Sequence, residues 1–162
     1  MSTKGLKMNQ KNEHPQLIVN PFVIYIGMSV AAVLLQLLVP LPFVSAQTAR
    51  FTGAFIMIVN LMIGLPAIRG MLKAKTSPNP NHPTSSLVLS GSYRLSRNPM
   101  YLGLTLLYAG LMTFFQLPWG ILFTPIVIWL ITVWVIRPEE QYLERKFGGE
   151  YLQYKATVRR WI

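Results

Sequence analysis

Apolar residues in this chain come in long unbroken blocks rather than in alternation or on a single stripe. Between Pro21 and Val39 only Ser29 and Gln36 interrupt the run, which is close to the roughly 20 residues a helix needs to cross a bilayer. Pro40 and Pro42 end it. A second block covers residues 51–68, with Asn60 at its centre and Gly64 and Pro66 near its end. An asparagine at such depth either marks a site or bonds across a helix interface. Two more blocks, 99–117 and 119–136, are separated only by a tight connection around Gln116 to Gly120 and read as a helical hairpin. Pro118 and Gly120 supply turn chemistry there, while Pro125 is expected to kink the last span or sit in its first turn. The pattern predicts an all-α, polytopic membrane protein with about four transmembrane helices.

The segments between the blocks are of different kinds. Residues 1–20 form a polar tail with Lys4, Lys7 and Lys11 and room for a short interfacial helix. Val44-Ser45-Ala46 resembles a signal-peptidase site, but the preceding apolar run exceeds the 7 to 15 residues of a typical signal-peptide core, so it is read as a retained span. Residues 69–98 are polar, and Pro78, Pro80 and Pro83 argue against a continuous helix; so long a loop usually carries function. After residue 136 the pattern changes again. Leu143, Phe147, Tyr151, Tyr154, Val158 and Trp161 recur on one helical face opposite Glu144, Arg145, Lys146, Glu150, Lys155 and Arg159. That periodicity predicts a C-terminal amphipathic helix, 139–160, lying in the membrane interface and bent at Gly148-Gly149. The organisation expected is an N-terminal tail followed by a single membrane domain, 21–162.

Composition sharpens this picture. Hydrophobic residues make up 52% of the 162 and charged residues 12%, about half of the roughly 25% usual in soluble domains. A net charge of +10 would suit nucleic acid only if it were gathered on one exposed face. Here the cations sit at the ends of apolar blocks, where they orient spans and contact anionic lipids; no nucleic-acid partner is expected. Counting Lys and Arg by connection gives three, one, five, none and six, so that fourteen of fifteen fall on one side of a four-span arrangement. The positive-inside rule makes that side cytosolic, with both termini and the 69–98 loop facing the cytosol, and the membrane expected is a prokaryotic cell membrane. The absence of cysteine excludes disulfides, thiolate metal sites and a cysteine nucleophile, and no metal is expected.

Chemistry, if present, belongs where three cytosolic stretches meet: Ser85 to Tyr93, Arg97 to Gly103 and Arg137 to Glu144. Each has a structural alternative. Asn98-Pro99 is a good helix start, and Pro138-Glu139-Glu140 another, with carboxylates at the positive end of the helix dipole. Four of the five acidic residues fall between Glu139 and Glu150, on a side that should be basic, and that calls for an explanation.

The ordered set Leu87-Val88-Leu89-Ser90-Gly91-Ser92-Tyr93, Arg97-Asn98-Pro99-Met100-Tyr101-Leu102-Gly103, Glu139-Glu140, Phe147-Gly148-Gly149-Glu150-Tyr151-Leu152-Gln153-Tyr154 and Val158-Arg159-Arg160 resembles the isoprenylcysteine carboxyl methyltransferase family, which is related to the phospholipid methyltransferases. The resemblance covers about the last 80 residues. It implies S-adenosylmethionine as cofactor, held by Ser85, Ser86, Leu87, Val88, Tyr93, Asn98, Pro99, Met100, Tyr101 and Glu139, with Arg137 the nearest counterpart of the substrate-side arginine and the register there open by a residue or two. Asn98 stands in the family's histidine position. It can donate and accept hydrogen bonds but cannot titrate near neutrality, so a mechanism that needs a histidine base at that point is excluded.

The cofactor's own chemistry is compatible with these residues. Glu139 or Glu140 could meet its cationic group or ribose hydroxyls, and the helix start at Asn98 to Tyr101 could meet its carboxylate. Tyr93, Leu87 and Val88 could enclose the adenine. Methyl transfer is a direct displacement, so positioning is expected to do most of the work, and no catalytic residue beyond positioning is assigned. The acceptor expected is a hydrophobic or lipid-like carboxylate, amine or thiol entering sideways from the bilayer. Two other readings stand beside this one: an NADPH-dependent membrane reductase of the sterol reductase type, using Arg94, Arg97 and Arg137 for the 2′-phosphate, and a non-enzymatic membrane scaffold.

Overall fold

A computed structural model describes residue 15 and residues 17–77 and 84–162. The tail before Pro15, with its lysines, and the Pro78, Pro80 and Pro83 run lie outside the described residues. Helix α1, Pro21–Leu38, starts where Asn20 accepts the Phe22 N–H at 3.0 Å and Pro21 takes the first helical position, and it stops just before Pro40. Helix α2, Ala46–Lys73, starts at Ser45, whose Oγ accepts the Thr48 N–H at 3.2 Å. It has 28 residues rather than the 18 of the apolar block, or about 42 Å at 1.5 Å per residue. Hydropathy marks the part that lipid covers; the polar turns at both ends remain helical and extend past it.

Helix α3, Pro99–Phe114, is shorter than its apolar block. It ends because Gln116 adopts a left-handed conformation, φ +56°, and α4, Pro118–Ile131, begins with Pro118 in its first turn. Gly120 was expected in that turn; it lies inside α4, where a Cβ would come within 2.3 Å of the Met112 side chain. Pro125 is also inside α4. The helix then continues as one wider π turn, Thr132–Ile136, into α5, Arg137–Phe147. This corrects the expected helix start at Pro138-Glu139-Glu140. The Arg137 N–H reaches back five residues to the Thr132 carbonyl, and the widened turn accommodates a proline that has no N–H to give. The C-terminal segment is two helices instead of one: α5 ends at Gly148, φ +53°, and α6, Gly149–Thr157, follows.

Three helices are long and apolar enough to cross a membrane, Pro21–Leu38, Ala46–Lys73 and the continuous Pro118–Phe147, and Pro99–Phe114 is a shorter apolar helix. The chain is an all-α, multi-pass integral membrane protein. Helix α2 packs most extensively on α3, and α1 on α4. The α2–α3 contact is backbone on backbone, since a Cβ on Gly53 would sit 2.7 Å from the Gly110 carbonyl oxygen and 2.6 Å from the Phe114 nitrogen; small residues allow this approach in membranes. Asn60 belongs to the same interface, its Oδ1 2.9 Å from where a Gly103 Cβ would lie. Around α4 the core gathers Ile24, Tyr25, Tyr108, Val127, Ile131 and Val135. Two bonds fix α1 antiparallel to α4: the Ile18 N–H to the Trp134 carbonyl at 3.1 Å and the Trp119 indole N–H to the Val39 carbonyl at 2.9 Å. The start of α1, the end of α2, the start of α3 and the end of α4 therefore gather at one end of the bundle.

Candidate functional site

A cavity opens at that end of the bundle. Its first wall follows from the end of α2. The last carbonyls of a helix lack helical partners; here Gly70, Met71 and Leu72 are met by the N–H groups of Ala74, Thr76 and Lys75, and serines take the two carbonyls just past the helix end: Ser85 Oγ donates to the Lys75 carbonyl and Ser86 Oγ to the Ala74 carbonyl, both at 2.6 Å. The Ser85 N–H also donates to Thr76 Oγ1 at 2.9 Å. This lays the chain along the helix end and brings Ser86, Leu87 and Val88 to the cavity. A short helical turn, Gly91–Arg94, then presents Tyr93; it is anchored by Ser92 Oγ on the Ile63 carbonyl at 2.9 Å and by Tyr154 Oη on the Tyr93 carbonyl at 2.7 Å.

The second wall is the start of α3. Asn98 occupies the cap position without capping: its Nδ2 donates to the Arg160 carbonyl at 3.0 Å, and no side chain caps the first turn. Pro99 has no N–H, so the first-turn amides of Met100 and Tyr101 stand without a side-chain acceptor beside the cavity that both residues line. The C-terminal residues complete this wall from outside. Arg97 N–H donates to the Arg159 carbonyl at 2.9 Å, Ser96 Oγ to the Arg160 carbonyl at 3.1 Å, and the Trp161 indole N–H to Thr132 Oγ1 at 3.1 Å.

The third wall carries the acid. Neighbouring residues on a helix point about 100° apart at 3.6 residues per turn, and the two glutamates diverge accordingly. Glu139 faces the cavity and accepts the Tyr101 hydroxyl at 2.9 Å. Glu140 faces away, 4% exposed, with Arg97 Nη2 at 3.2 Å and Arg160 Nη2 at 2.7 Å. The apolar span ends at Ile136, and Glu139 lies beyond it in the charged stretch of α5. Burial raises the Glu139 carboxyl above the ordinary range; the Tyr101 hydroxyl opposes this and the charge of Glu140 adds to it. Burial, and then the charge of Glu139, likewise keep the Tyr93 hydroxyl protonated.

Of the residues singled out by sequence, Ser86, Leu87, Val88, Tyr93, Asn98, Pro99, Met100, Tyr101 and Glu139 line one cavity. Ser85 lies behind the wall, Glu140 is turned into the arginine cluster, and Arg137 is exposed and outside the lining. The lining also includes Arg97, Met71, Thr76, Ser77, Thr84, Leu143, Tyr151 and Tyr154. Leu143 was legible only as part of an apolar helix face, and Tyr151 and Tyr154 as part of that face and of the motif set, without a place in the site; the threonines and Ser77 carried no signal.

The model of the phospholipid methyltransferase family matches residues 48–150. The chain belongs to that family. The match begins well before the roughly 80-residue resemblance, taking in nearly all of α2, and it stops short of the C-terminal arginines. An uncharacterised protein of Haemophilus influenzae is 54% identical over 37 residues, a stretch that is 23% of this chain and spans 59% of that protein's length. No solved structure matches. The cavity of this family member joins an open helix start to a carboxylate, with tyrosines and aliphatic side chains between them.

Proposed function

We propose that this protein transfers a methyl group from S-adenosylmethionine to a hydrophobic or lipid-like acceptor at the cytosolic face of the membrane. The observation that carries the reading is the pairing, in one cavity, of the Glu139 carboxylate with an α3 start whose cap side chain is turned elsewhere. A zwitterionic, cationic-sulfur cofactor needs both: a carboxylate for its positive groups or ribose hydroxyls, and helix N–H groups for its anionic one. Leu87, Val88 and Tyr93 offer flat apolar surface for a nucleobase.

When bound, the cofactor supplies an electrophilic methyl carbon: the acceptor's oxygen, nitrogen or sulfur forms the new bond as the carbon–sulfur bond breaks and its electron pair stays on sulfur. The chain's part is to hold the two partners in line and keep water out. Asn98 cannot act as a base, and a carboxylate or thiolate acceptor requires none. The acceptor in this reading is a carboxylate, amine or thiol of apolar character that reaches the cavity through lipid. Anionic lipids against the basic cytosolic flank are the other partners in this reading.

Titrating S-adenosylmethionine and NADPH separately against the detergent-solubilised protein tests it. Saturable thermal stabilisation by the first alone is expected; stabilisation by NADPH alone would overturn the assignment in favour of a reductase. Labelled-methyl transfer to a panel of hydrophobic acids, amines and thiols then identifies the acceptor. Reporters fused at the C-terminus and near Lys75 should both read cytosolic and one near Gln116 should not, and an opposite result at Lys75 would remove the cytosolic site.

A further inference from the structure

We propose that the Arg97 guanidinium, acting with the open first turn of α3, binds the α-carboxylate on the amino-acid arm of the cofactor. The inference rests on the cofactor reading above and assigns that anion to a side chain. Arg97 lines the cavity, and its side chain is only 8% exposed. One nitrogen, Nη2, reaches Glu140 Oε1 at 3.2 Å, but Nε and Nη1 are buried without any hydrogen-bond partner. Arginine stays charged in proteins and donates five N–H bonds, and orphaned donors on a buried charge are costly.

The local charge count points the same way. Glu140 is one carboxylate shared by two guanidiniums, Arg97 and Arg160. Arg160 takes the better geometry, with Nε at 3.1 Å and Nη2 at 2.7 Å, and its side chain keeps 32% exposure to water. The uncompensated positive charge is therefore felt most at Arg97, and among the described residues no second carboxylate forms an ion pair with it. Immediately beside it in sequence, Asn98 gives its amide to the Arg160 carbonyl instead of the first turn of α3. Arg97, with two unpartnered guanidinium nitrogens, and the uncapped first turn of α3 thus belong to the lining of one cavity. A carboxylate has two oxygens and satisfies both sets at once.

The cofactor's carboxylate suits this place better than the acceptor's. Glu139 lines the same cavity, so the lining offers an anion for an ammonium and cations for a carboxylate, the two groups that share one carbon in an amino acid. A reacting carboxylate clamped by a guanidinium would be a poorer nucleophile, because its electron density would be drawn toward the cation.

The test compares two neutral-sulfur ligands that differ by the amino-acid arm, S-adenosylhomocysteine and 5′-methylthioadenosine, binding to purified full-length protein in detergent by calorimetry. Arg97→Lys keeps a charge for Glu140 but loses the forked donors; Arg97→Gln removes the charge. Both variants should weaken S-adenosylhomocysteine about tenfold or more, a difference of about 1.4 kcal/mol, and leave methylthioadenosine within about twofold. Equal weakening of both ligands would make Arg97 a structural partner of Glu140 and overturn the proposal. Unchanged S-adenosylhomocysteine binding would overturn it as well and leave the free donors to an anionic acceptor. A parent protein that binds neither nucleoside would overturn the cofactor reading itself, a result distinct from the other two.

Discussion

Glu139 and Glu140 are adjacent, identical in chemistry and opposite in surroundings, so the same substitution at each should produce opposite phenotypes. Glu140→Gln leaves an amide against Arg97 and Arg160. Breaking a buried ion pair costs about 3–5 kcal/mol, but glutamine retains one acceptor oxygen. The 32% exposure of the Arg160 side chain lets water recover part of the rest. The expected loss is about 2–3 kcal/mol, which for a chain of this size lowers Tm by about 5–10 °C. Glu139→Gln removes a carboxyl that accepts the Tyr101 hydroxyl, a bond that an amide oxygen can also accept, so stability should stay within about 0.5–1 kcal/mol of the parent. Binding should behave in reverse. A charge-assisted bond to the cofactor is worth about 1.5–3 kcal/mol, so Glu139→Gln should weaken S-adenosylmethionine roughly 10- to 100-fold.

Thermal unfolding in detergent and ligand titration on the same preparations separate the two effects. Equal loss of stability from both substitutions would refute the divergence of the two side chains, and unchanged binding in Glu139→Gln would remove that carboxylate from the site. The pH dependence has a definite sign. Because the Glu139 pKa in the folded protein lies above its unfolded value, the folded state holds more protons across the interval between them, and its contribution to stability falls as pH rises through that interval. Affinity for a cationic ligand should rise with pH over the same interval as the carboxylate ionises. Both slopes should vanish in Glu139→Gln.

Two other perturbations address the frame of the site. Gly53→Ala places a methyl 2.7 Å from the Gly110 carbonyl oxygen, backbone that cannot rotate away, and should cost about 1–3 kcal/mol in detergent unfolding; a neutral result would mean that α2 and α3 do not approach so closely. A chain ending at Val158 loses the acceptors for Arg97 N–H, Ser96 Oγ and Asn98 Nδ2, the Arg160–Glu140 pair and the Trp161–Thr132 bond. It should lose S-adenosylmethionine binding while retaining its helical circular dichroism, and full binding by the shortened chain would show that the tail is dispensable to the site.

Hydropathy located each span because the bilayer selects for it, and it misjudged the ends for the same reason. The polar turns Ala46–Arg50 and Arg69–Lys73 of α2 lie outside the apolar block and carry no such signal, although backbone bonding continues through them. The π turn at Thr132–Ile136 was hidden because a widened turn has no characteristic residue, and the Pro138 it accommodates reads just as well as a helix start. The nine cavity residues anticipated from sequence share short motifs close to one another or to the hairpin. Arg97 and Arg160 were missed as a pair because their link to Glu140 joins residues 43 and 20 positions apart, and nothing in a local window signals a contact at that separation. Thr76 was missed because its role, accepting the Ser85 N–H, depends on where α2 happens to stop.

Asn98 illustrates how the structure changes an expectation drawn from sequence. As a helix cap, asparagine would be exchangeable with aspartate, and as a stand-in for the family's histidine it would mark a lost base. The structure supports neither role: Asn98 is 9% exposed, donates its backbone N–H to Ser96 Oγ at 3.0 Å, and spends its side-chain N–H on the Arg160 carbonyl. What position 98 requires is a donor of about that reach, which a histidine ring N–H also supplies. Asn98→His should therefore fold and bind S-adenosylmethionine nearly as the parent does. Asn98→Asp places a charged acceptor against a carbonyl acceptor at a buried site and should cost about 1–3 kcal/mol, despite aspartate being as good a cap as asparagine. Unfolding midpoints of the two variants decide between the roles. If Asn98→Asp is as stable as the parent, the side chain is a cap after all, and the clamp between α3 and the C-terminal arginines loses one of its members.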